Sequence, residues 1–336
     1  MKKILKVLLL ILMILPLCAC GKNNEKVTEK KEDKKETVEK VKIIDVGSNT
    51  RPYAIMINCH NEALPQAGLQ NAYIVYEIMV EGGITRMMAL FKDADVSKIG
   101  SVRSARTQFL DYVYENDAIY FHAGGASDAI NRMGSEGINN VSVDGAYGMR
   151  DTTLDRNWEH TLFTSTDLMK QAINDRGFKT TTSAGNLLTY QAKTIDYDAY
   201  SDKIEANNIS ITYSYYRTSN YKYDSSKKVY LRSMNDTNNI DLVTGNQYEV
   251  KNIIVYGVKY SSYTHNGYSL YQKIDNVGSG EGYYITEGYA IPITWKKDTK
   301  NSKTIYKYKE TGEELVVNDG NTYIQIYPIN ENLTIN

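Results

Sequence analysis

Tyrosine divides this chain. Of its 29 tyrosines, 22 lie at or beyond Tyr190. Tyrosine favours strands, where its ring suits a half-buried pleated face and its hydroxyl reaches water. Arginine shows the opposite bias: eight of the ten lie between Arg51 and Arg176, and His60, His122 and His160 fall in the same stretch. A chain otherwise rich in lysine that gathers arginine in one region either needs the planar, bidentate guanidinium there or clusters it by chance. The two biases together predict two unlike domains, 43–187 and 188–336, a division that 336 residues accommodate.

Local pattern gives each half a class. Tyr53–Asn58 reads as a buried strand, and Tyr73–Val80 and Ile84–Phe91 as a hairpin around Glu81-Gly82-Gly83. Ser101–Asp111, with Ser101 as N-cap, Ser127–Arg132 and Ser165–Asp175 read as helices, and Ala118–His122 as a short strand. Strands alternating with helices predict an α/β domain, a mixed sheet with helices. Beyond Leu188 the segments Ile209–Tyr216, Lys228–Arg232, Val250–Lys259, Tyr283–Thr286, Ile291–Trp295, Lys303–Tyr308 and Thr322–Tyr327 read as strands, predicting a mostly-β domain. Its tyrosines suit a sheet face; stacking on carbohydrate is the sharper alternative.

The first residues carry an address. Lys2, Lys3 and Lys6 precede an apolar run, Val7–Leu17, and then Leu17-Cys18-Ala19-Cys20-Gly21. This is a secretory-signal pattern over 1–19, and its end resembles a bacterial lipobox with Cys20 as the acylated residue. Residues 20–42 follow as a lipidated Cys and a charged tether that cannot bury a core. The expected location is the extracytoplasmic face of the bacterial membrane, held by the lipid anchor. The chain has 39 Lys+Arg against 40 Asp+Glu. Loss of the leader lysines makes it more acidic, so nucleic acid is not an expected partner. Cys59 is then the one free thiol, and no disulfide framework is available to the fold.

The candidate chemistry is concentrated in the first half. Glu77 and Glu81 are four apart and share a face if both lie on a strand, with Arg86 beyond the turn. They are candidates for an acid/base pair, or for an ion pair bracing the hairpin. Arg103 and Arg106 are three apart, at the start of the expected helix, and would suit a phosphate or carboxylate or pair with the two glutamates. His122, before Gly124-Gly125, ends a strand where open α/β sheets bind ligands, and His160 on a nearby loop could join it. The candidates are thus Glu77, Glu81 and His122 for catalysis and Arg86, Arg103, Arg106, His122 and His160 for ligand binding. No cofactor is implied, no Cys/His spacing resembles a structural zinc site, and no metal centre is expected. There is no GxSxG, P-loop or HExxH.

Arg51-Pro-Tyr-Ala-Ile-Met-Ile-Asn58, Pro65-Gln-Ala-Gly-Leu69, Glu81-Gly-Gly-Ile-Thr-Arg86, Val102-Arg-Ser-Ala-Arg106, His122-Ala-Gly-Gly125 and Gly288-Tyr-Ala-Ile-Pro-Ile-Thr-Trp295 occur in this order. In this series the chain resembles the YerB-type bacterial lipoproteins. The resemblance implies a lipid-anchored, two-domain protein and transfers no catalytic residue; Cys59 stands where it implies Asn. Three functions remain open: a binding module for a small anion, an envelope polymer or a protein partner; an extracytoplasmic hydrolase or transferase using Glu77 or Glu81; and a structural scaffold.

Overall fold

The computed structural model describes residues 40–265 and 267–336. The signal segment, Cys20 and most of the tether lie outside the described residues.

An 11-stranded mixed sheet organises the fold. Its order is Ile204–Glu205, Tyr289–Lys297, Gly278–Thr286, Asn252–Val258, Thr322–Pro328, Ile74–Met79, Thr85–Phe91, Tyr53–Asn58, Ile119–His122 and Asn140–Ser142, with Ile305–Tyr308 also paired to Tyr289–Lys297. The composition change near 187 is not a seam in this sheet. Thr322–Pro328 lies between Asn252–Val258 and Ile74–Met79, parallel to both. Ile74–Met79 and Thr85–Phe91 are buried along their whole length, as apolar runs covered on both faces should be.

Strand alternation sends two sets of side chains to two cores. Ala54, Met56, Ile74, Tyr76, Ile78, Met88 and Leu90 meet helices α1 (Thr107–Glu115) and α2 (Ser127–Ser135), through Phe109, Leu110, Tyr112 and Met133. On the opposite face Ile55, Ile57, Val75, Met87 and Ala89 pack with α3 (Thr166–Arg176) and with a second, six-stranded sheet. That sheet is built from Asn208–Ser214, Arg217–Asp224, Val229–Met234, Thr237–Asn238, Glu249–Val250 and Leu333–Ile335. Asn208–Ser214 and Val229–Met234 bury alternate residues, the period-two signature of a sheet with one face on the core. An antiparallel hairpin, Tyr260–His265 with Tyr268–Ile274, stands beside α1 and α2. The observed class is the expected one: helices with a mixed sheet in the first part, and mostly strands in the second.

Two expectations change. Tyr213, Tyr221, Tyr230, Tyr248, Tyr256, Tyr284 and Tyr323 are fully buried rather than half-exposed, because the second half contributes to both cores. The helix expected from Ser101 starts at Thr107. Residues 101–106 are extended, because Val102 bridges Ile57 and Ala105 bridges Gly125, and a backbone bonded sideways cannot also close helical turns. In contrast α3 follows its sequence signals. Ser165 caps it by accepting from the Leu168 N–H at 3.2 Å, and Gly177 ends it in the left-handed region at φ 61°.

Candidate functional site

The arginines gather at one end of the central sheet, beyond the carboxyl ends of the parallel strands Tyr53–Asn58 and Ile119–His122. The extended segment 101–106 crosses there. The Arg103 N–H donates to the Met56 carbonyl at 2.9 Å and the Ala105 N–H to the Gly124 carbonyl at 3.0 Å. Arg103 and Arg106 are therefore placed by strand-like bridging rather than by a helix face.

Glu81 is the hub. It lies in the 3-10 turn Glu81–Gly83, off the strand that carries Glu77. Arg106 grips it side-on, Nε standing 2.8 Å from Oε2, with a further contact from Nη2. Arg86 Nη2 reaches Glu81 Oε1 at 3.3 Å, and Arg86 Nη1 donates to the Ser104 carbonyl at 2.6 Å. Burial raises the Glu81 pKa, but the Arg106 hydrogen bond and the charges of Arg86 and Arg106 outweigh it and hold the carboxyl down at about 2. Burial, followed by the neighbouring Arg106 charge, lowers the pKa of Arg86.

Arg103 stands at the open side of this group. Its side chain is 26% exposed and its partner is the more exposed Glu159. Glu159 links it to His160, whose Nε2 lies 3.8 Å from Glu159 Oε1 and 3.5 Å from Glu62 Oε2. The His160 ring is buried and stacks on His60 at 5.0 Å. Desolvation lowers its pKa, against the pull of Glu159.

Glu77 does not join the group. It points to the opposite face of the sheet, where Thr85 Oγ1 donates to it at 2.8 Å, Ser219 Oγ at 3.0 Å and Arg232 Nη2 at 2.9 Å. The expected shared face for Glu77 and Glu81 fails because the chain leaves strand geometry at the turn, where Gly82 and Gly83 have φ near 72° and 70°. His122 sits at its strand end as expected, but its polar atoms serve its own loop and the neighbouring strand. Nδ1–H donates to the Gly124 carbonyl at 2.7 Å, and Nε2 faces Asn140 Oδ1 at 3.2 Å. Burial lowers its pKa, against those two hydrogen bonds.

Comparison with known proteins fits this architecture. A family model described as "Protein of unknown function (DUF3048) N-terminal domain" matches residues 41–179, and its C-terminal counterpart matches residues 208–324. The chain belongs to the DUF3048 family. It is 29% identical over 286 residues to a Bacillus subtilis (strain 168) protein named "Putative lipoprotein YerB", covering 83% of this chain and 81% of that one. It also matches the crystal structure of the Bacillus subtilis YerB protein with a TM-score of 0.74 and 27% identity, covering 85% of this chain and 94% of that chain. Among the described residues no helix is long and apolar enough to cross a membrane.

In this DUF3048 protein the structure adds residues that the sequence did not single out for function: Glu62, Glu159, Arg217 and Arg232. Ligand atoms of His60, Glu62 and His160 lie within 4.8 Å of one another, a spacing open to a metal ion. Their hydrogen bonds argue against one. Asn58 Oδ1 accepts from the His60 N–H at 3.0 Å, so its amide nitrogen donates to His160 Nδ1 at 2.9 Å. His60 Nδ1 accepts from the Glu62 N–H at 3.3 Å. In the neutral rings both Nε2 atoms then carry the proton, and the lone pairs a metal would take are absent. The pair is a donor set, a role no sequence spacing reveals because His60 and His160 are 100 residues apart.

Proposed function

We propose that this DUF3048 protein is a lipid-anchored extracytoplasmic binding protein whose arginine group receives an anionic ligand, carried by a small molecule, an envelope polymer or a protein partner. The observation that carries the reading is the imbalance of the group. Arg86 and Arg106 share the single carboxylate of Glu81, while Arg103 is partly exposed and, among the described residues, is paired with Glu159 at the surface. Of the three guanidiniums Arg103 is the one paired at the surface, and an incoming carboxylate or phosphate can take the place of Glu159 on it. The naming of a relative as "Putative lipoprotein YerB", together with the sequence before Cys20 that resembles a lipobox, supports the anchor.

Acid/base catalysis by Glu77 or Glu81 has no support in the geometry. Glu77 is sealed from solvent by hydrogen bonds. Glu81, with a pKa near 2, holds no proton to give near neutral pH. The test is a thermal melt of the full chain in detergent against phosphate, sulfate and di- and tricarboxylates at constant ionic strength. The reading requires stabilisation by at least one anion, lost in Arg103→Ala while the variant stays folded. Equal response of parent and variant to every anion overturns it.

A further inference from the structure

Beside the arginine group lies a groove of different chemistry. It has a volume of about 480 Å³ and is lined by His60, Asn61, Gly82, Tyr215, Tyr216 and Arg217, among others. Tyr215 and Tyr216 form the two-residue tip of the hairpin between Asn208–Ser214 and Arg217–Asp224. Such tips normally carry Asn, Asp or Gly, whose backbones accept the turn and whose side chains leave no apolar surface. Here two aromatic rings are exposed instead, Tyr215 at 95% and Tyr216 at 65%, in a T-shaped pair with centroids 5.3 Å apart.

The tip is held in place. A Cβ on Gly83 (φ 70°) would stand 3.3 Å from the Tyr216 ring and 3.0 Å from Ser214 Oγ, so the glycine turn and the tyrosine tip are in close contact. Arg217 is 2% exposed and forms a base for the groove. Its Nη2 donates to the Cys59 carbonyl at 2.9 Å and its Nη1 to Asn61 Oδ1 at 3.4 Å. These bonds fix Asn61, and its amide nitrogen has no acceptor among the described residues. The His60 Nδ1 is used by the Glu62 N–H, so His60 Nε2–H is likewise a donor without a hydrogen-bond acceptor among the described residues. The groove thus offers two aromatic faces, two phenol hydroxyls and two neutral donors. Its one cation, Arg217, is buried and spends both Nη atoms on the protein, while its Nε has no partner among the described residues.

We propose that this groove binds a neutral saccharide, with a pyranose ring lying on Tyr215 or Tyr216 and its acetamido or hydroxyl oxygens accepting from His60 Nε2 and Asn61 Nδ2. A sugar ring presents C–H groups to an aromatic face and oxygens at its rim, which matches rings beside fixed neutral donors. A peptide partner would take the same tyrosines but use the two donors less fully. The saccharide groove borders the anion group through the His60–His160 stack and does not include Arg103.

The test is calorimetric titration of the full chain in detergent with N-acetylglucosamine tetramer, which carries no charge. The expected result is saturable binding, weakened about tenfold or more in Tyr216→Ala and in Asn61→Ala. Tyr216→Phe should restore most of the loss in Tyr216→Ala, because it keeps the stacking face. Absence of binding by the parent, or undiminished binding by a Tyr215→Ala/Tyr216→Ala variant, overturns the proposal. So does a parent that ignores the tetramer but crosslinks through Tyr216 to a protein.

Discussion

Glu77 and Arg232 meet across 155 residues at 2.9 Å, and both side chains are essentially without solvent exposure. One comes from the central sheet and the other from the sheet packed over it, so the pair ties the two layers at their centre. Ser219 and Thr85 complete the shell of the carboxylate, and Asn239 accepts from the other end of the guanidinium. Removing one partner strands a charge in a closed core. Arg232→Met and Glu77→Gln should each lower stability by about 3–5 kcal/mol. The double variant should lose less than the sum of the two. Urea titrations of the four proteins measure this, and additive losses would show that the pair is not coupled.

The Glu81 hub predicts an acid-dependent component of stability. Its folded pKa, about 2, lies below the ordinary glutamate value of about 4.3 in an unfolded chain. A depressed carboxyl pKa adds stability that is fully present above the unfolded pKa and lost as pH falls through the folded one. The loss should therefore fall between about pH 4.3 and pH 2. Glu81→Gln should flatten that part of the stability curve and also lower stability at neutral pH, by leaving Arg86 and Arg106 without their shared carboxylate. Denaturant midpoints measured across this pH window compare the two. An unchanged acid limb in the variant would contradict the assignment.

Cys59 is buried, and burial together with the nearby Glu77 charge pushes its thiol up to about 11. The thiolate is the reactive form, so the native protein should resist Ellman's reagent near neutral pH and react fully in denaturant. Reductant should leave the melting temperature unchanged, since Cys59 is the only cysteine among the described residues. Rapid labelling of the native protein would mean that the strand end opens readily.

The anchor can be tested separately from the fold. If Cys20 is the acylated residue, as proposed, Cys20→Ser should release the protein from the membrane fraction or leave its precursor unprocessed, since a stable hold takes acyl chains. Fractionation and intact mass measurement read this outcome. A variant that behaves as the parent does would remove Cys20 from the anchor.

Where the chain's local and global demands agree, its sequence was readable. Tyr53–Asn58 was read to the residue, and the next hairpin to within one residue, because each is a run of apolar residues bounded by turn signals. Arg217–Asp224 went unread: Lys222 and Asp224 face outward and dilute its pattern. Tyr260–His265 and Tyr268–Ile274 are mostly polar and form a pair of their own, so they lack an apolar stripe. At the site, the convergence of Arg86, Arg103, Arg106 and Glu81 was legible, because the turn and the crossing segment are near in sequence. The partner of Glu77 was not, because Arg232 arrives through a second sheet that no local spacing encodes. Likewise the arginines were expected on a helix, since Ser101 resembles an N-cap. The bridges from Val102 to Ile57 and from Ala105 to Gly125 decide otherwise.

Glu159 acts as an internal anion on Arg103, and the two residues should therefore respond to substitution in opposite directions. The Arg103 hydrogen bond lowers the Glu159 pKa, so the carboxylate is charged near neutral pH and competes with any anion for the same guanidinium. Glu159→Gln removes the competitor's charge and keeps its shape. Anion-induced stabilisation should rise in this variant and vanish in Arg103→Ala, and added salt should shrink the difference because both side chains are partly exposed. Melting temperature against anion concentration reads all three proteins. A Glu159→Gln variant with a weaker anion response than the parent would mean that Glu159 positions Arg103 for the ligand rather than blocking it.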